Sequence, residues 1–260
     1  MSDTSNCTAV SLACPVSATT YGYTPNLGGN VFFAVIFGIC TIYNLAMGLK
    51  AKAWKFMVAL TVGSLMELAG YIGRILMHYN LWNNGGFELQ IICLILAPSF
   101  VVAAIYWSLK HIVLCLGPEH SRIKPNLYPW VFIGCDLGSI LLQAAGGGVA
   151  AAAKKTNQSL LDAGNDIMIA GITFQVVTMA VCGVLALDFA FHVVRASAGL
   201  SLDEKLAATN PCGFLIFCVG EAFAYLTVLI CCIYRIPAMA GGWGNPLIQD
   251  ETEFLVLDGM

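Results

Sequence analysis

A chain of 260 residues that is 58% hydrophobic and only 10% charged has more apolar surface than one water-soluble core could hide, since soluble domains carry about 25% charged residues. A formal net charge of -3, with no basic block, speaks against nucleic acid or any strongly charged macromolecule as a partner. The 11 cysteines do not form a disulfide scaffold, because Cys40, Cys93, Cys135, Cys182 and Cys218 lie in apolar runs, where cysteine behaves as a small hydrophobe.

Residues 1–30 are polar, with neither a basic start nor a long apolar stretch, so they do not read as a cleavable secretory signal. Beyond them, runs of about 20 apolar residues, the length that crosses a bilayer, fall at about 31–49, 56–76, 89–109, 131–153, 167–187 and 213–234. A further apolar start at 252–260 stops after about a third of a span. The expectation is an all-α, polytopic membrane helix bundle with six complete helices and a truncated seventh, forming one transmembrane domain over 31–260. Pro98 is expected to kink the third helix, and the small-residue run Gly146 to Ala153 to permit close helix approach. No internal repeat is evident.

Lysine and arginine set orientation. With the N-terminus outside, the inner loops hold Lys50, Lys52, Lys55, Lys110, Arg122, Lys124, Arg195 and Lys205, against Arg74, Lys154, Lys155 and Arg235 on the outer side. Glycosylation acceptors at Asn6 and Asn157 both fall outside in this arrangement. The N-terminal segment would then be extracellular or lumenal, where oxidising conditions favour a Cys7–Cys14 disulfide over two free thiols.

Charged groups at mid-membrane are costly and therefore mark functional sites. The candidates for a substrate path or proton relay are Glu67, Tyr71 and Arg74 in helix two, Asp136 and Gln143 in helix four, Gln175 in helix five and Glu221 in helix six. A seven-residue step is nearly two helical turns, so Glu67 and Arg74 share a face, as do Asp136 and Gln143. Arg74 is expected to snorkel to the outer interface while Glu67 stays deeper. Two roles fit that pair: an ion pair that braces the bundle, or a polar lining in which Glu67 meets a cationic head group. Asp136, near the inner end of its helix, is placed where a carboxylate can reach water. Gln143 and Gln175 are expected at similar depth on adjacent helices, hydrogen-bonded to each other as glue.

Other chemistry is poorly supported. No phosphate loop is formed by GGGVAAAAKKT, whose lysines lack the required preceding glycine. His78, His111, His120 and His192 are scattered on both sides of the membrane, against an intramembrane zinc site or a zinc hydrolase of lipids, and no G-x-S-x-G nucleophile elbow is present. Neither a catalytic residue, a metal nor a cofactor is expected.

Four motifs in order, E-x-x-G-Y-x-x-R (Glu67 to Arg74), L-A-P-S-F-x-x-A-A-x-Y (Leu96 to Tyr106), D-x-x-S-x-x-x-Q-x-x-G-G-G (Asp136 to Gly148) and G-N-D-I-M-I-A-G-I-T-F-Q (Gly164 to Gln175), resemble the fungal RTA-like lipid-translocating exporters. The resemblance runs from about Tyr23 to Asp258. It implies a family pattern of seven transmembrane helices and transport of, or tolerance to, sphingoid long-chain bases and similar cationic amphiphiles. Two departures stand out. In ICCIYRIPA, Cys231 replaces an arginine and Ala238 an acid of the family pattern, while Tyr234 and Arg235 are kept. Glu253 and Asp258 match the start of the seventh helix, whose remainder is missing; a half-helix cannot cross, so truncation is expected, the alternative being a short re-entrant end.

The expected function is an integral membrane lipid exporter, with membrane lipids and a small amphiphilic substrate as partners, in a fungal plasma membrane or alternatively the vacuole or another endomembrane. The competing expectation is a seven-helix lipid sensor without transport, although no D-R-Y or N-P-x-x-Y switch is present. Oligomeric state is not encoded in any recognisable feature.

Overall fold

The computed structural model describes residues 14, 16, 19, 22–153, 158–197 and 211–240. They form α1 (Leu27–Ala51), α2 (Trp54–Tyr79), α3 (Asn84–Leu116), α4 (Leu127–Ala152), α5 (Gln158–Ser197) and α6 (Pro211–Ala240), with a 3₁₀ turn at Pro118–His120. All 6 helices are long and apolar enough to cross a membrane, and the chain is an integral membrane protein. The expected partial helix at 252–260 lies outside the described residues.

Each helix begins earlier or ends later than its apolar run. Expected from 167, α5 starts at Gln158; expected to stop at 109, α3 continues to Leu116. Helical backbone hydrogen bonding does not require apolar side chains, and it continues past the apolar stretch through polar residues such as Asp162, Asp166, Lys110 and His111. At its start, α1 is capped by Asn26, whose side chain accepts from the Gly29 amide at 3.2 Å. It ends where Lys52 adopts a left-handed conformation, φ 54. Pro98 lies within α3, and the helix carries through it.

Two compact units result, one from the described residues up to Val101 together with those from Tyr234 onward, the other from Val102–Ile233. In the first, the core gathers Ala34, Tyr71 and Leu94, with Phe33, Phe37, Leu68 and Ile75 packed around them. Tyr71 stacks between Phe33 (5.3 Å) and Phe37 (5.7 Å), a pairing worth about 0.5–1.5 kcal/mol beyond burial. In the second, Val102, Tyr106, Phe132, Met179, Cys182 and Phe189 are among the buried residues.

The α4–α5 seam rests on glycine. A Cβ at Gly164 would lie 2.6 Å from the Ala150 amide nitrogen, one at Gly146 2.7 Å from the Gly164 carbonyl, and one at Gly171 3.0 Å from the Ser139 carbonyl. Only hydrogen fits there, so the two backbones touch along several turns, as the small-residue run anticipated. Elsewhere apolar side chains face outward, among them Phe32, Ile39, Ile42, Leu187, Ile216 and Phe223. Such exposure would be an aggregation hazard in water and is ordinary against acyl chains.

Candidate functional site

The candidate residues fall into two groups, one in each unit. In the first, α2 carries Glu67, Tyr71 and Arg74, all three buried. Against the expectation that Arg74 snorkels outward, its side chain is only 1% exposed. Protein groups enclose it: Nε donates to Asn30 Oδ1 at 2.8 Å and Nη2 to the Tyr23 hydroxyl at 3.0 Å. The physical reason is supply. A guanidinium has five donors and no acceptor, and α1 with the segment before it provides oxygens inside the protein, so the side chain has no need to reach the interface. Asn30 is itself anchored, its Nδ2 donating to the Asn26 carbonyl at 2.7 Å. One turn beyond Arg74, His78 Nδ1 lies 2.7 Å from the Pro25 carbonyl. Glu67 is 7% exposed, two turns below Arg74 on the same face of α2.

In the second unit, Asp136 was expected to reach water near a helix end. It is instead 3% exposed, because α3, α5 and α6 contribute Tyr106, Cys182 and Tyr225 around it. Its carboxylate faces the Tyr106 hydroxyl, although neither carboxylate oxygen nor that hydroxyl closes a hydrogen bond of ordinary geometry. Gln143 Nε2 donates to Gln175 Oε1 at 3.1 Å, the interhelical amide pair anticipated from their depth. Glu221 of α6, half-buried, accepts from the Ser108 hydroxyl of α3, and the Tyr225 hydroxyl donates to the Met179 carbonyl.

Some of these partners were not anticipated. Tyr106 closes a motif that was noticed, yet a tyrosine in an apolar run usually signals packing. Asn30 and Tyr23 stand 44 and 51 positions from Arg74, so no local spacing announces them, and both fall in the N-terminal stretch ahead of the expected first helix. Ser108 likewise stands far from Glu221 in the chain.

At the α3–α4 connection, Arg122 makes a two-pronged contact with Asp188 near the end of α5, at 2.7 and 2.9 Å. These hydrogen bonds, and then the carboxylate charge, push the guanidinium up from its ordinary value. Where the family pattern was broken, Cys231 and Ala238 are both buried, and Arg235, which was kept, donates to the Ile95 carbonyl at 3.4 Å. Among the described residues no group of three or more His, Cys, Asp or Glu could hold a metal ion. Cys14 is disulfide-bonded; Cys7, expected as its partner, lies outside the described residues, as do the acceptors Asn6 and Asn157.

Comparison with known proteins bears on this arrangement. The family described as RTA1 like protein matches residues 60–260. The sphingoid long-chain base transporter RSB1 of Saccharomyces cerevisiae is 31% identical over 92% of this chain and 69% of its own length. Protoporphyrin uptake protein 1 of the same yeast is 26% identical over 76% of this chain and 62% of its own length. A probable lipid transporter, atnI, of Emericella nidulans is 23% identical over 88% of this chain and 60% of its own length. No solved structure matches.

Proposed function

We propose that this chain, which belongs to the RTA1-like family, is a membrane transporter that moves sphingoid long-chain bases or similar cationic amphiphiles. The observation that carries the proposal is the 31% identity to a sphingoid long-chain base transporter over 92% of the chain. The distribution of charge supports it. Among the described residues the buried acids, Glu67 and Asp136, outnumber the buried base, Arg74, a balance suited to a substrate bearing an ammonium group.

Within the first unit, Glu67 is the residue we assign to the ammonium. Asn30 and Tyr23 already supply oxygens to Arg74, so the guanidinium does not rest on Glu67 alone. The aromatic stack of Phe33, Tyr71 and Phe37 one turn away offers the apolar surface that an alkyl chain beside a head group requires. An N-terminus outside follows from the lysine and arginine asymmetry, with a plasma membrane location as its natural setting; a cysteine placed at position 155 should then be modified by an impermeant thiol reagent on intact cells, and one at Lys124 only after permeabilisation.

The test is flux. Proteoliposomes holding the whole chain should exchange an isotopic long-chain base, and Glu67→Gln should lower the rate on the order of tenfold while leaving the purified protein monodisperse. A tenfold change corresponds to about 1.4 kcal/mol, just under the low end of what a hydrogen bond to a charged group contributes. Unchanged flux in the variant would remove Glu67 from the path. Base-dependent recruitment of a partner without any flux would replace the transporter with the sensor, and porphyrin flux without base flux would shift the substrate class.

A further inference from the structure

Binding a lipid ammonium at Glu67 gives Asp136, in the other unit, nothing to do. Its carboxyl group is 3% exposed and neither oxygen has a hydrogen-bond partner. The titratable groups facing it from the helices packed around it are Tyr106 of α3, Cys182 of α5 and Tyr225 of α6. Among the described residues no lysine, arginine or histidine pairs with it. Two of the nearby hydroxyls are committed elsewhere: Tyr225 donates to the Met179 carbonyl and Ser139 to the main-chain carbonyl of Asp136 itself. Tyr106 alone is poised, fully buried and with its hydroxyl still lacking a partner.

A carboxylate withdrawn from water with both oxygens unsatisfied is far costlier than the neutral acid in the same place. Some cation must therefore accompany Asp136 while the site is closed. The surrounding core is close-packed around Phe132, Met179 and Cys182, and a proton is the cation that needs no added volume.

We propose that Asp136 and Tyr106 form a proton-binding site whose loading and unloading accompany each transport step. A proton from water adds to a carboxylate oxygen of Asp136 when the site opens to one side, and returns to water when it opens to the other. During the ionised interval Tyr106 keeps its own proton and turns its O–H onto the carboxylate. Tyr106 is thus a positioning residue, and Asp136 the carrier. Proton binding is argued from Asp136 and its neighbours, whereas its link to transport rests on the reading of the chain as a mover of lipid bases.

Two measurements separate the parts. Infrared difference spectra of the purified whole chain, recorded across a pH titration, should show the carbonyl stretch of a protonated carboxylic acid that disappears in Asp136→Asn. Tyr106→Phe should keep that band and displace its titration to higher pH by about one unit, because losing the donor penalises the ionised form. Absence of the band from wild type, or its persistence in Asp136→Asn, overturns the site whatever the flux. In proteoliposomes, an imposed pH gradient should accelerate wild-type base flux several-fold and leave Asp136→Asn without a response. Wild-type flux indifferent to the gradient overturns the coupling. No base flux in wild type, with the band present, overturns the coupling and the transporter reading together and retains the proton site. Asp136→Asn is isosteric, and its thermal midpoint, expected at or above that of wild type, checks that it folds.

Discussion

Arg74 keeps its charge in a nearly inaccessible position because acceptors come to it: Asn30 from α1 and Tyr23 from the segment ahead of it. The guanidinium does not give up its proton inside proteins, so a missing acceptor has to be absorbed as lost stability. Asn30→Ala removes the 2.8 Å contact to Nε and should cost about 1.5–3 kcal/mol, the usual worth of a hydrogen bond to a charged group. Thermal unfolding of the detergent-purified chain would check it, and a change below about 0.5 kcal/mol, the level of an uninvolved surface position, would mean that Asn30 does not hold the arginine. The residue scale is also where sequence reading reached furthest and stopped soonest. Glu67, Arg74 and Asp136 announce themselves, since ionisable groups are rare in apolar runs. Their surroundings do not. That Arg74 is enclosed and Asp136 is dry depends on residues contributed by other helices, and Tyr106, written among alanines and valines, carries no mark that distinguishes a hydroxyl facing an acid from a ring filling space.

At the scale of elements, the contact between α4 and α5 is decided by what the helices lack. Gly164→Ala would drive a methyl group to within 2.6 Å of the Ala150 backbone nitrogen and 2.8 Å of the Gly146 carbonyl, and backbone cannot step aside as a flexible side chain can. The expected loss is about 1–3 kcal/mol, as for other overpacked sites. Gly134→Ala, on α4 and with nothing within 4 Å of its added Cβ, should be neutral or stabilising by up to about 1 kcal/mol, since alanine is the better helix former. Paired unfolding measurements on the two variants give the comparison; equal effects would show that the seam is not under steric control. The glycine-rich run made this approach readable in advance, although its partner surface on α5 was not. Element ends were the least legible: hydropathy falls at Asp162 and Asp166 while the helix does not, so the apolar stretch underestimates the length of the helix.

For the molecule as a whole, the outward apolar residues are the counterpart of the buried polar ones. Ile39, near the middle of α1, is 61% exposed, and lipid is the solvent it faces. Ile39→Arg should lower the membrane-integrated fraction by an amount corresponding to about 2.5–3.5 kcal/mol, the insertion cost of an arginine at a helix centre. Alkaline extraction of membranes, comparing the variant with wild type, reads this out; full retention of the variant would place that face of α1 against protein.

The length of α5 has a consequence of its own. Its 40 residues make a rod about 60 Å long at 1.5 Å per residue, roughly double the 30 Å of hydrocarbon it crosses. Both tips must therefore stand in water, and the Asp188 to which Arg122 is fastened belongs to one of these wet overhangs. Held by the glycine seam at Gly164 and Gly171, in its first half, the rod behaves like an oar in a rowlock. Small changes of pitch within the bilayer become wide sweeps at the blades, and a hand on either blade can be felt at the seam.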